Sequence, residues 1–171
     1  MRLRLLPSKL WLVLALLPLL HSCGIYSFTG ASIPPQATTF SVSMFPNHAQ
    51  LVQPTLSNRF TEALMDRFLR QTNLRLVPSG GDLHFEGSIT DYNTAPAAIT
   101  GDDRAALNRL TITVRVNFIN EYVPEQNFER SFSRFWDYPS TRSLSEVEDE
   151  AITIISEALV EDIFNQAVVH W

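Results

Sequence analysis

The side chains that could carry chemistry in this 171-residue chain are few and scattered. Three of its four histidines, His48, His84 and His170, follow the N-terminal segment. None of them stands at metal-ligand spacing from another histidine, a cysteine or an acid. The sequence also lacks a glycine-rich phosphate loop and a nucleophile elbow. The pattern predicts a protein that is not an enzyme and that needs no metal or cofactor, so that its chemistry is binding.

The only cysteine, Cys23, follows a segment built like a secretory signal. Three basic residues precede an apolar run over 10–20, which is too short for a permanent transmembrane helix at about 1.5 Å of rise per residue. Residues 20–23 (LHSC) resemble the bacterial lipobox, from which His21 departs. We expect residues 1–22 to be a lipoprotein signal peptide, with a diacylglycerol and an N-acyl chain such as palmitate on Cys23. The alternative is a general signal peptidase site that leaves Cys23 as a free thiol.

Arginine supplies every basic residue after this signal. Arginine suits planar, bidentate contacts with carboxylate or phosphate, although codon bias explains the preference equally well. Because the signal holds three positive charges and no acid, its removal changes the formal net charge from −5 to −8. We expect no nucleic-acid partner for a domain this acidic. With no second cysteine, the chain must be held by a packed core rather than by a disulfide.

The elements that position these arginines follow from the spacing of apolar residues. Alternation predicts strands over 37–45, 82–92, 110–118 and 127–138, and a short strand over 74–77. Helical spacing predicts amphipathic helices over 54–71 and 143–166, the second opened by a capping box of Ser143 and Glu146. The strands indicate an antiparallel meander that two apolar helix faces must cover. The expected fold is an α+β two-layer sandwich, with two helices packed on one face of a mostly antiparallel sheet of four to five strands.

Two segments depart from simple alternation. Residues 93–108 are rich in Ala, Thr, Asp and Gly, which predicts a long connection between strands that is mobile or functional. In the strand over 127–138, Arg130 and Arg134 share a face with aromatic residues. Either a bulge resets the alternation, or the arginines lie among aromatics and meet acidic residues of the last helix.

Several segments together resemble one protein family. They are CGIYSFTGASI after the signal, LSNRFTEALMDRF in the first helix, GDLHFEGSITDY, NRLTITVRVNFIN and FERSFSRFWDY in the strands, and DIFNQAVVHW at the end. The combination is similar to the LptE family, in the form found in the Bacteroidetes, and spans nearly all of the chain after Cys23. We therefore expect residues 23–36 to be a lipidated tether and residues 37–171 to be a single LptE-like α+β domain.

The resemblance implies a non-catalytic lipoprotein that plugs and supports an outer-membrane β-barrel of the LptD type and assists lipopolysaccharide transport and assembly. It implies a lipid anchor on the periplasmic side of the outer membrane. Basic residues of relatives are thought to contact lipopolysaccharide phosphates. As contacts with lipopolysaccharide or the partner we nominate Arg109, Arg115, Arg130 and Arg134.

The net charge limits this interpretation, since an acidic domain repels phosphates. Contact with the barrel wall through polar sheet residues such as Thr111, Thr113 and Asn117 fits the composition better. The alternative function is that of a free periplasmic accessory lipoprotein that binds a lipid in a groove between helices and sheet.

Overall fold

The computed structural model describes residues 33–51, 53–99 and 105–168. The predicted signal peptide, Cys23, most of the tether and His170 lie outside the described residues. In chain order the elements are β1 (Thr39–Val42), α1 (Leu56–Gln71), β2 (Arg75–Leu76), β3 (Leu83–Ile99), β4 (Ala105–Asn120), a 3-10 turn (Pro124–Gln126), β5 (Phe128–Pro139) and α2 (Leu144–Val168). Two helices pack on one face of a five-stranded, mostly antiparallel sheet, which confirms the expected α+β sandwich.

The strand order is β2-β1-β3-β4-β5. The strands β3, β4 and β5 form the predicted antiparallel meander. The first two strands do not belong to it, because β1 lies between β2 and β3 and runs parallel to both, with Phe40 opposite Leu76 on one side and Leu83 on the other. The crossover helix α1 explains this pairing, since a helix between two neighbouring strands returns the chain to run in the same direction.

After β2 the chain passes close over β1 before it begins β3. A Cβ atom on Gly81 would lie 2.5 Å from the carbonyl carbon of Phe40 and 2.5 Å from the amide nitrogen of Ser41, so only glycine fits there. Asp82 then fixes the crossing, because its carboxylate accepts the backbone N–H of Thr38 at 2.8 Å and of Thr39 at 2.9 Å. These bonds, with that from the Thr39 hydroxyl, lower the pKa of Asp82 to about 2.

The core lies between the helices and the sheet. Phe85 of β3 and Phe118 of β4 have ring centroids 4.7 Å apart, and Phe68 of α1 lies 4.7 Å from Phe85 and 5.1 Å from Phe164 of α2. Three of these rings are fully buried and that of Phe164 nearly so. Burial of each such side chain contributes about 1.5–3 kcal/mol. Because the rings come from both helices and from the sheet, this aromatic cluster joins the two layers.

Two predictions about the strands are wrong. The strand predicted over 37–45 ends at Val42. Its alternation would place Met44 on the face of Phe40 and Val42, but Met44 is 64% exposed while Phe45 is buried. The connection predicted over 93–108 is mostly sheet, because β3 continues to Ile99 and β4 begins at Ala105. Small residues with weak strand preference are carried into the sheet there by pairing with the opposite strand, which continues through register shifts between Pro96 and Ala98 and between Ala98 and Ile99.

The start of α2 shows half of the predicted capping box. The Glu146 carboxylate accepts the backbone N–H of Ser143 at 3.0 Å, whereas the Ser143 hydroxyl bonds the hydroxyl of Ser145. Among the described residues, neither helix is apolar enough over a sufficient length to cross a bilayer.

Candidate functional site

Strand β4 presents two different faces. Its alternate residues Leu110 to Phe118 are fully buried beneath the helices, so the intervening side chains lie on the opposite face of the sheet. These intervening residues are Arg109, Thr111, Thr113, Arg115 and Asn117. Both helices pack on the buried side. The side on which neither α1 nor α2 packs, called here the open face, therefore carries on β4 the polar residues that the alternation predicted.

Cross-strand hydrogen bonds organise this open face. The Asn117 amide donates to Glu86 of β3 at 2.8 Å, and the hydroxyls of Thr113 and Ser133 of β5 lie 3.0 Å apart. The Thr90 hydroxyl donates to the carbonyl of Thr113 at 3.3 Å. The face thus extends over three strands as a set of paired polar groups rather than as scattered side chains.

Arg109 is fixed at one end of the open face. Its Nε and Nη2 donate to the two carboxylate oxygens of Asp137 at 2.7 and 2.9 Å, and its guanidinium lies 3.6 Å from the ring centre of Phe135. The hydrogen bonds hold the pKa of the Asp137 carboxyl below its usual range and raise the pKa of Arg109. Asp137 therefore occupies one edge of the guanidinium and Phe135 occupies one of its faces.

Arg115 is held less firmly in the middle of the face. It makes an ion pair with Glu129 at 2.7 Å, but the side chains are 61% and 57% exposed. Exposed pairs of this kind contribute about 0–1 kcal/mol, so Arg115 can exchange Glu129 for another anionic group at little cost.

Arg130 and Arg134 lie on the other side of the sheet, against α2. Arg134 donates to both carboxylate oxygens of Asp162 at 2.6 Å, and Arg130 donates to Gln166 at 2.9 Å. The pairing of β4 with β5 is continuous, so no bulge resets the alternation. The second interpretation from the sequence is correct for Arg134, which meets an acid of the last helix. Arg130 lies 5.9 Å from the ring centre of Phe132 and meets that helix through an amide instead of an acid. Of the four nominated arginines, the open face therefore holds two, Arg109 and Arg115.

The open face is not a basic patch. Its two arginines stand among four acids, which are Glu86, Asp91, Glu129 and Asp137. Phe135, which is 53% exposed, is its one large exposed hydrophobic residue among those described. The open face is therefore a hydrogen-bonding surface on which acids outnumber arginines.

Asp137 and Phe135 were missed as part of this site. The pairing of the two strands could have revealed Asp137. In an antiparallel hairpin, residues at equal distances from the turn lie opposite each other, which places Asp137 of β5 opposite Arg109 of β4. Of the histidines, His48 is exposed and His84 bonds the buried Ser41 hydroxyl through Nδ1 at 2.8 Å. No group of three or more His, Cys, Asp or Glu in the described residues could hold a metal ion.

Comparison with solved structures finds similar chains at low sequence identity, and a match with a TM-score above 0.5 indicates a shared fold. A hypothetical protein from Chlamydia trachomatis matches with a TM-score of 0.52 and 8% identity, covering 77% of this chain and 98% of that one. A minor lipoprotein from Acinetobacter baumannii gives 0.49 and 14%, covering 76% and 91%. Rare lipoprotein B from Shewanella oneidensis gives 0.46 and 12%, covering 74% and 89%.

Comparison by sequence defines the family. A search among proteins of curated function found no match. The model of the LptE family, described as lipopolysaccharide-assembly, matches residues 37–167, which include every strand and nearly all of α2. The chain therefore belongs to the LptE lipopolysaccharide-assembly family.

Proposed function

We propose that this protein is a non-catalytic outer-membrane lipoprotein whose domain plugs and supports a β-barrel of the LptD type and so assists lipopolysaccharide transport and assembly. A lipid on Cys23 holds it on the periplasmic side of the outer membrane. The observation that carries the proposal is the open face, a polar surface over three strands in a member of the LptE family.

The composition of the open face suits the inside of a barrel. The lumen of a membrane β-barrel is lined by polar side chains, because lipid-facing and lumen-facing residues alternate along each strand. Hydroxyl and amide groups such as those of Thr113, Ser133 and Asn117 can exchange their mutual bonds for bonds to such a wall. A bilayer surface would instead require a large apolar patch, and Phe135 alone does not form one.

Direct contact with lipopolysaccharide is assigned to Arg115. Its guanidinium is exposed and holds a single exposed carboxylate, so a phosphate can replace Glu129. Arg109, Arg130 and Arg134 already bond Asp137, Gln166 and Asp162 respectively. Because the acids of the open face repel phosphate, we expect the contact only at Arg115 and not over the rest of the face.

The alternative, a free carrier that encloses a lipid between helices and sheet, is disfavoured by the packing of that interface. Such a carrier needs an apolar cavity there. The described residues instead fill the interface with the rings of Phe68, Phe85, Phe118 and Phe164, whose neighbouring centroids lie 4.7–5.1 Å apart.

The test is affinity purification of the tagged full-length protein from detergent-solubilised membranes, with identification of the bound proteins. We expect one large β-barrel protein in stoichiometric amount, and loss of surface lipopolysaccharide when the protein is depleted. A Cys23→Ser variant separates anchoring from binding, since it should leave the membrane fraction and still bind the purified barrel. A protein that stays monomeric and captures no barrel would contradict the proposal.

A further inference from the structure

The two outer strands of the sheet differ in length. In the order β2-β1-β3-β4-β5, β2 closes one side with two residues and β5 closes the other with twelve. Backbone groups of alternate residues of β5 bond β4, so those of the intervening residues point outward. No other described strand pairs with them, and no backbone hydrogen bond from a described turn or loop reaches residues 128–138. This outer side of β5 is called here the free edge.

The free edge lacks the features that protect the other edges of the sheet. An open strand edge can pair with another chain, so natural proteins shorten it or interrupt it with a proline or a bulge. The strand β2 is only two residues long, and β3 beyond its pairing with β1 contains Pro96 and three register shifts. By contrast, β5 pairs with β4 without a shift, and its only proline is its last residue, Pro139.

Charged side chains, a further protecting feature, are drawn away from the free edge. The strand β5 has four of them, and each bonds a partner on β4 or α2. These pairs are Glu129–Arg115, Asp137–Arg109, Arg130–Gln166 and Arg134–Asp162. Between the charges, Ser131 and Ser133 are small and exposed, which leaves room beside the backbone. The free edge is therefore accessible to an extended chain.

A second copy of this chain does not suit the free edge. In antiparallel pairing of β5 with itself, residues at equal distances from the two-fold axis lie opposite each other. Registers centred on the middle of the strand place Glu129 opposite Asp137 or Arg130 opposite Arg134, and like charges in this position are destabilising. Because α2 packs against β5 and contains seven acids and no basic residue, such a dimer would also bring two acidic helices towards each other.

The free edge adjoins the open face, because Ser131, Ser133 and Phe135 border both. A partner that covers the open face therefore also reaches the free edge. The wall of a closed barrel has no unpaired edge, so a segment that pairs with β5 must lie outside the wall strands. We propose that β5 pairs with an extended segment of the barrel protein outside its wall, which adds a sixth strand to the sheet. This inference rests on the function proposed above.

Backbone hydrogen bonds supply most of the recognition in such pairing, and alternate side chains of the added strand supply its specificity. On the open-face side the added strand lies beside Ser131 and Ser133, next to the hydroxyl pair of Ser133 and Thr113. Hydroxyl or β-branched side chains suit these positions, since they continue the row of hydroxyls across the sheet.

The first experiment measures amide hydrogen exchange residue by residue, by mass spectrometry, in the free protein and in its purified complex with the barrel. We expect the outward amides of β5 to exchange at least tenfold more slowly in the complex. The control is the outer edge of β3 from Asn93 to Ala97, where we expect less than a twofold change.

The other outcomes separate this inference from the proposed function. A barrel complex in which the outward amides of β5 exchange as fast as in the free protein would overturn the pairing alone. Equal slowing along β3 and β5 would show general exclusion of solvent and would also overturn it. Failure to recover a barrel would overturn the inference and the proposed function together.

The second experiment uses proline to remove one outward N–H. The N–H groups of the exposed neighbours Arg130 and Ser131 point in opposite directions, and exchange in the free protein identifies the outward one. Proline at that position, Arg130→Pro or Ser131→Pro, leaves the bonds to β4 in place and should weaken barrel binding at least tenfold. Alanine at the same position keeps the N–H and should bind within twofold of the parent.

Circular dichroism checks that both variants are folded, and the exchange experiment on the parent decides the question if the proline variant is not. Unchanged binding of a folded proline variant would contradict the pairing. Equal weakening in the alanine variant would assign the contact to the side chain and would contradict it as well.

Discussion

On its helix side the sheet is sealed by aromatic rings, whereas on its open side the same strands carry hydroxyl, amide and charged groups. Phe118 is fully buried and touches two other rings, while its neighbour Asn117 bonds Glu86 across the surface. A strand in which apolar and polar residues alternate can therefore pack into the core with one face and present polar groups to a partner with the other. Stability is concentrated on the buried side, so the open side is free to be shaped by a partner.

The largest expected effect comes from breaking the buried side. Phe118→Ala should lower the free energy of unfolding by about 3–5 kcal/mol, because it removes a ring from a packed cluster and leaves a cavity. Asn117→Ala on the same strand should change it by no more than about 1 kcal/mol. Urea unfolding followed by circular dichroism measures both. Similar losses in the two variants would contradict the division between the faces.

The next effect tests how closely the buried side is packed. A Cβ atom on Gly87 would lie 2.0 Å from the carbonyl oxygen of Arg115 and 2.7 Å from the ring of Phe45. Gly87→Ala should therefore destabilise the protein by about 1–3 kcal/mol in the same unfolding assay. Ser88→Ala, one residue along, serves as the control and should be nearly neutral. A neutral Gly87→Ala would mean that both the Arg115 carbonyl and the Phe45 ring move aside freely, and would contradict the close packing.

A smaller effect is expected from Asp82 and depends on pH. Because its folded pKa is about 2, below the value of about 3.9 in an unfolded chain, its stabilisation is present above pH 4 and is lost as pH falls through 2. We expect a loss of about 1 kcal/mol after allowance for solvent screening. Comparison of the parent with Asp82→Asn between pH 2 and 5 isolates this part, and parallel curves would show that the carboxylate contributes nothing.

The smallest effect on stability is expected on the open face. Arg115→Ala removes one exposed ion pair and should change the free energy of unfolding by less than about 1 kcal/mol, while barrel or lipopolysaccharide binding weakens. Arg142→Ala, an exposed arginine near the start of α2, is the matched control for both assays. A large fall in melting temperature for Arg115→Ala would assign this residue to structure instead.

Much of the fold could be predicted because, in its main elements, the spacing of apolar residues along the chain matches the face that is buried. The alternation from Leu110 to Phe118 and the helical spacing from Leu56 to Phe68 both match buried faces. A glycine within an alternating strand indicates either a bulge or a side chain that passes close by. At Gly87 the close contact is present, whereas the nearest register shift lies beyond it, between Ile89 and Asp91. The extension of β3 to Ile99 could not be read locally, because its small residues are held by pairing with β4.

The candidate site could be predicted only in part for a similar reason. Alternation placed Thr111, Thr113 and Arg115 on one face, but it does not state which carboxylate reaches which arginine. That depends on the register of β5 and on the position of α2, which bring Asp137 to Arg109 and Asp162 to Arg134.

The central claim, that the open face meets a barrel wall, is tested most directly by site-specific photo-crosslinking in cells. A benzophenone amino acid is placed at Ser131, in the middle of the open face, or at Glu125, in the turn before β5. We predict a strong adduct between position 131 and lumen-facing peptides of a β-barrel protein, and a much weaker one from position 125. Absence of a barrel adduct at position 131, or equal adducts from both positions, would contradict the account.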